Sequence, residues 1–344
     1  MKVLITGGAG FIGCNAAQRF LQLGDSVTVL DDLSRAGSES NLEWLRMQAQ
    51  FDFVRASVCD AALIREIFRT GQFEVAIHLA AQVAVTTSVS EPRRDFEINA
   101  LGTLNVLEAI REVSPRTILL NASTNKVYGK LPAMVVAEEA TRYVLPQTPM
   151  GVDEKQALDF HSPYGCSKGA ADQYVIDYAR IYGLRTVNFR QSCIYGTRQF
   201  GVEDQGWVAW FTIAHHLCRP VTIYGTGKQV RDILFVDDLI DCYLAAIESI
   251  DTLAGQSFNI GGGPGNTLSL LELIELLGAH SGKPVQYAFD EWRPGDQPAY
   301  VSDIRRAGEL FGWRPRISVG EGIERLHHWV TTNSILFAEK VAAA

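Results

Sequence analysis

The 344-residue chain is 47% hydrophobic, enough to bury one large core or two linked ones. A net charge of −8, a pI near 5.4 and the lack of any Lys/Arg run argue against a nucleic-acid partner. No apolar run reaches the ~18 residues of a membrane span, no room is left for a signal peptide before the first strand, and six scattered cysteines form no C-x-x-C. The expectation is a soluble cytoplasmic protein with reduced thiols, no membrane partner and no metal site.

In chain order, Val3-Leu4-Ile5-Thr6 reads as a strand buried on both faces, running into Gly7, Gly10 and Gly13 and then a helical pattern from Ala16 to Leu23. In such a turn the first glycine turns the chain, the second lets the backbone approach a pyrophosphate and the third packs helix on strand. A second strand, 26–30, ends in Asp31, where a carboxylate can accept from the ribose hydroxyls of an adenosine. Asp31 and Asp32 together repel a 2′-phosphate, so NAD is favoured over NADP, with Arg35 as the dissenting cation. A polar stretch reaches Gln50, followed by strand 51–54, helix 61–69, strand 75–79, a long helix over 96–113, strand 117–121, a helix over 165–182 and strand 186–190. This alternation predicts an α/β fold, a Rossmann-type doubly wound parallel sheet with ligands at the carboxyl ends of its strands.

From Gln191 the rhythm loosens into shorter elements, including helices near 269–280 and 320–330, which predicts a smaller mixed C-terminal domain. The expected division is a Rossmann domain over 1–190, with 233–258 packing back on it, a substrate domain from 191–232 and 259–334, and a frayed tail over 335–344. Trp207, Trp210 and Phe211 are expected to serve mostly as core. Tyr164 and Lys168, four apart on a helix, share a face. A lysine ammonium there, with a positive nicotinamide ring, would lower the tyrosine pKa towards that of a working base. Thr124, closing a strand, offers a hydroxyl to the reacting oxygen.

Gly7/Gly10/Gly13, Asp31, His78-Leu-Ala-Ala81, Asn99, Thr124 before Val127-Tyr128-Gly129, and Tyr164/Lys168 together resemble an extended short-chain dehydrogenase/reductase of the nucleotide-sugar epimerase and dehydratase group. The resemblance spans residues 2 to about 330 and implies the catalytic set Thr124, Tyr164 and Lys168. It implies cofactor contacts from Phe11, Ile12, Ser34, Arg35, Ser57, Val58, Leu79, Ala80, Ala81, Gln82, Asn99, Ser123, Gln191 and Cys193. The nucleotide sugar is assigned to Asn125, Cys193, Gln205, Ile223, Arg231, Arg293, Asp296 and Tyr300, the two arginines suiting a diphosphate on chemical grounds as well. A homodimer through the helices near 100–113 and 165–182 also rests on the likeness alone.

Residues 123–129, 158–174 and 195–207 are similar to a branch of that family that inverts C2 of a CDP-linked deoxysugar, so a CDP-hexose is the favoured substrate. Gln191, Cys193, Thr197 and Ser57 depart from the pattern, which has histidine, serine, glycine and aspartate there. The alternatives are a 4-epimerase, a 4,6-dehydratase, disfavoured because Asn125-Lys126 stand where its acid pair belongs, and a silent NAD-binding sensor, disfavoured because Tyr164 and Lys168 are present.

Overall fold

The computed structural model describes residues 1–293 and 296–338; Pro294 and Gly295 of the arginine loop and residues 339–344 of the tail lie outside the described residues. Seven strands form a wholly parallel sheet: β1 (Lys2–Thr6), β2 (Ser26–Asp31), β3 (Asp52–Arg55), β4 (Val75–His78), β5 (Ile118–Thr124), β6 (Thr186–Gln191) and β7 (Gln256–Ile260). Their order, 3-2-1-4-5-6-7, places a switch point between β1 and β4, where the chain leaves the sheet in opposite directions and opens a crevice. The alternating side chains explain the two-faced burial. Val3 and Ile5 of β1 join one core with helices Phe11–Gln22 and Val236–Glu248, and Leu4 joins the other with helices Ala61–Gly71, Gly102–Val113 and Ser162–Tyr182.

Segment 256–260 adds an edge strand to this sheet, and helix Val236–Glu248 lies on helix Phe11–Gln22, where Asp241 pairs with Arg19 at 2.7 Å. Beyond the sheet, strand Val230–Phe235 pairs with Cys193–Tyr195, Thr267–Ser269 and Ala299–Tyr300. Strand Val221–Tyr224 pairs with Tyr287–Asp290. The apolar core on the Val3 side continues through Phe211, Leu273, Leu277 and Trp313. Phe211 is buried, while Trp207 and Trp210 are only partly so. No helix among the described residues is long and apolar enough to cross a membrane.

Three expectations of local structure are corrected. The polar stretch after Asp31 contains a helix, Ser38–Gln48, whose Leu42 and Leu45 face the core; its apolar spacing is too sparse to read against so many polar neighbours. The expected helix over 96–113 is a short helix Pro92–Phe96, a π-turn Glu97–Leu101 and helix Gly102–Val113. The extra residue of the π-turn swings Asn99 inward, where it is almost fully buried. Residues Ile335–Ala338, expected to fray, form a short helix because Phe337 seats against Phe200 and Trp329.

Strand β5 also runs three residues further than expected, pairing with β6 as far as Thr124 opposite Gln191. Beneath that end, Asp172 of the long helix is fully buried and accepts from Arg190 at 2.9 and 3.0 Å, from Ser123 at 2.7 Å and from Asn188. Removing one partner of such a pair strands the other charge in the core. Arg190→Met should therefore lower unfolding stability by about 3–5 kcal/mol in denaturant titration, whereas Arg180→Met, at an exposed pair on the helix that carries Asp172, should change it by less than about 1 kcal/mol.

Candidate functional site

The carboxyl end of β1 builds a cradle. Gly7 has φ +68°, and a Cβ there would lie 2.7 Å from the Ala80 backbone nitrogen. A Cβ on Gly13 would run into the Gly7 carbonyl and the Gly8 backbone, so helix Phe11–Gln22 can approach only over glycine. The first turn of that helix carries no side-chain cap and no acidic residue, leaving its N–H groups and positive dipole end for an anion. At the end of β2, Asp31 accepts from the N–H of Ala9 at 3.0 Å and of Leu33 at 2.8 Å, while burial pushes its pKa up. Asp32 accepts from Ser34 N–H at 3.0 Å and Arg35 contacts Gln205. A cavity here is lined by Gly10, Phe11, Arg35, Arg198 and Gln205. Glycine turn, helix end and ribose-side carboxylate thus stand in the arrangement a dinucleotide requires.

Across the crevice, Leu79, Ala80, Ala81 and Gln82 follow β4. Gln82 is held at both backbone groups by Asn99, which donates to its carbonyl at 3.0 Å and accepts from its N–H at 2.9 Å. Ser57 and Val58 follow β3; the Val58 side chain packs on Gly102 and its carbonyl accepts from Asn105 at 2.9 Å. Gln191 turns its amide to the Tyr243 hydroxyl, 2.7 Å away in the core.

The catalytic candidates converge where β5 meets the long helix. Ser162 begins that helix at φ +64°, its hydroxyl accepting from Gly165 N–H at 3.2 Å, a bent start that carries Tyr164. Thr124 neighbours the Tyr164 phenol, and Lys168 donates to the Ala122 carbonyl at 2.5 Å. Burial pushes Tyr164 up to about 12, partly offset by Thr124 and Arg35, and burial pulls Lys168 down to about 8. The Lys168 ammonium is engaged by the Ala122 carbonyl, and burial is the largest influence on the phenol.

A buried carboxylate unread in the sequence connects these groups. Asp95 accepts from Ser167 at 2.5 Å and from Asn99 at 3.1 Å, and its charge raises the pKa of both Tyr164 and Lys168. Asp172, one turn beyond Lys168, raises the lysine as well. His78, between Thr6 and Thr103, is held neutral by burial, its pKa near 3. Asp95 falls in a charged stretch, Glu91 to Glu97, where one buried acid cannot be told from exposed ones; only its four-residue spacing from Asn99 offers a hint.

On the side of the second set of strands, Arg231 donates to Asp296 at 2.5 Å and to the Val230 carbonyl at 2.8 Å. Arg293 pairs with Asp204 at 3.1 Å and lies over the Tyr224 ring. Cys193, half-buried, neighbours Arg231 and Lys126, and Asn125 accepts from Thr124 at 3.4 Å. Two assignments are corrected by burial. Tyr300 packs with Val127, Tyr128 and Val152 under the catalytic turn, and Ile223 is closed within the core, so neither side chain has surface to offer a ligand. Arg198 went unread; it stacks on Trp44 beside the glycine turn.

A doubly wound sheet with this cradle and a Thr-Tyr-Lys cluster defines an extended short-chain dehydrogenase/reductase, and the chain belongs to that group's family described as GDP-mannose 4,6 dehydratase, which matches residues 4–326. Among its relatives is the CDP-paratose 2-epimerase of Salmonella typhi, 44% identical over 96% of this chain and 100% of its own length. The UDP-glucose 4-epimerase of Mycolicibacterium smegmatis is 34% identical over 94% and 97%. Similar in structure are the UDP-glucose 4-epimerase of Thermotoga maritima with UDP-glucose, at TM-score 0.84, 31% identity and coverage of 97% and 100%. The UDP-glucuronic acid 4-epimerase of Bacillus cereus with UDP-glucuronic acid and NAD has TM-score 0.83, 27% identity and coverage of 96% and 99%.

If turnover needs Tyr164 ionised and Lys168 protonated, Asp95 opposes the first and favours the second. Asp95→Asn keeps the shape and removes the charge, so both pKa values fall. The acid and alkaline limbs of the pH profile of kcat/KM should both move to lower pH; limbs that stay in place, or move upward, refute the assignment.

Proposed function

We propose that this protein is an NAD-dependent nucleotide-sugar epimerase that inverts C2 of a CDP-linked, or related NDP-linked, hexose. The observation that carries the reading is the convergence of Thr124, Tyr164 and Lys168 while Asn125 and Lys126 stand next to Thr124, where elimination needs an acid pair. Gly7, Gly10, Gly13 and Asp31 would hold the pyrophosphate and adenosine of NAD, with Gln82, Asn99 and Lys168 towards the nicotinamide side. When bound, NAD supplies a hydride acceptor, then the donor, and in its oxidised form a positive charge near the phenol, so that a 2-keto sugar forms and is reduced from the opposite face.

Tyr164 takes the proton of the C2 hydroxyl and returns it. Its burial excludes water, and a desolvated phenolate is a stronger base than a hydrated one. Thr124 donates to the oxygen and holds it in line. Lys168 keeps its ammonium between the Ala122 carbonyl and the charges of Asp95 and Asp172, which hold it protonated against burial. Arg231 and Arg293, now on Asp296 and Asp204, are the cations a diphosphate would engage, with Gln205 and Cys193 beside the sugar. The CDP and C2 assignments draw support from the Salmonella typhi relative, covered along its whole length. A homodimer belongs to the same reading, supported by the exposed Phe96, Leu101, Tyr174 and Ile181.

Tyr164→Phe, which keeps the ring and loses the ionisable oxygen, should cut turnover by about 10²–10⁴-fold with bound NAD unchanged, measured by product assay and by cofactor release on denaturation. With a CDP-hexose deuterated at C2, product NMR should show inversion at C2 with the label still there, and none acquired from deuterated water. Inversion at C4 instead makes this a 4-epimerase, and solvent label at C2 rules out hydride transfer.

A further inference from the structure

Lys126 has no role in the machinery described so far, and its place is unusual. It lies in the 3-10 turn Asn125–Tyr128 that follows Thr124, and its N–H donates to the Thr124 hydroxyl oxygen at 3.2 Å, so the side chain leaves the backbone beside the catalytic oxygen. That side chain is half-buried, and its charged or ionisable neighbours are Arg231, Asp296 and Cys193. Among the described residues the ammonium has no hydrogen-bond acceptor, and the neighbouring Asp296 carboxylate accepts from Arg231 at 2.5 Å. Burial, and the repulsion of Arg231, pull its pKa below the usual lysine range. Two cations near a single carboxylate leave a net positive charge beside the Thr124 hydroxyl, which an anion from outside can meet.

The chemistry of a nucleotide sugar says which anion reaches that point. C2 is joined to the β-phosphorus through C1 and one oxygen only, whereas C4 lies across the ring from it. With C2 against Thr124 and Tyr164, the β-phosphate must lie close to the catalytic hydroxyl, in the space between Thr124 and Arg231. With C4 there, it is carried a ring's width away. We propose that Lys126 binds the β-phosphate of the nucleotide sugar and so turns C2, rather than C4, towards the Thr124–Tyr164 pair. This rests on the nucleotide-sugar reading above and assigns to Lys126 the choice of carbon.

The test is binding of CDP and UDP, each beside its monophosphate, to the purified holoenzyme by calorimetry. Lys126→Met should weaken the diphosphates roughly tenfold or more and leave CMP and UMP unchanged, because only the β-phosphate loses a charge-assisted partner. Lys126→Arg should restore most of the loss, and Lys126→Gln serves in its place if the methionine variant does not fold. In turnover, Lys126→Met should lower kcat as well as raise KM, since a loosened phosphate misplaces the reacting carbon. Equal weakening of mono- and diphosphates, or no weakening, overturns the role of Lys126 while leaving the epimerase reading intact, and a raised KM with kcat unchanged overturns the orienting role. A wild-type protein that binds neither diphosphate overturns the nucleotide-sugar reading and this inference with it.

Discussion

The buried carboxylate of Asp172 is the joint on which the site depends. It lies one turn beyond Lys168 on the long helix and receives hydrogen bonds from Ser123 of β5 and from Asn188 and Arg190 of β6. A single buried side chain therefore ties the helix carrying Tyr164 and Lys168 to the strand carrying Thr124. The network reaches further, because Arg190 also donates to the Tyr128 hydroxyl at 3.1 Å, and Tyr128 donates to Asn259 at 2.7 Å. Buried ion pairs contribute little net stability in general, but they penalise any arrangement that leaves a member unpaired. Here that penalty falls on every displacement of the catalytic helix relative to the end of β5.

Around this joint the electrostatics are set by burial opposed by a few placed charges. Burial makes Tyr164 a weaker acid and Lys168 a stronger one, each shift opposite to what the chemistry needs. Asp95 and Asp172 bring the lysine back up, and Thr124 and Arg35 bring the tyrosine part of the way down. A cationic cofactor held by the glycine cradle would supply the remaining shift and so link the readiness of the base to its occupancy.

The region around Arg231 and Arg293 is built in a different manner. Arg231 and Arg293 each rest on a carboxylate of another segment of the chain, Asp296 and Asp204. Such pairs keep the guanidinium groups in place and soluble, and they can be exchanged for phosphate without leaving a buried charge unpaired.

The sequence by itself determined the elements that depend on local chemistry. Glycine spacing after an apolar strand, a carboxylate ending the next strand, and a tyrosine and lysine four apart on a helix are each legible because one physical requirement fixes residue type and interval together. The parallel sheet followed from the alternation of strand and helix patterns. What only the tertiary structure decided depends on contacts between distant segments. The π-turn that turns Asn99 inward, the partnership of Asp95 with Ser167, the Asp172 joint and the placing of Lys126 near Arg231 join residues tens to more than a hundred positions apart. Burial of Tyr300 and Ile223, which closes them to a ligand, has the same origin. Periodicity reports which face of an element is apolar, but not which polar group will be enclosed, nor by what; that is settled only when the layers close and each buried charge must find its partner.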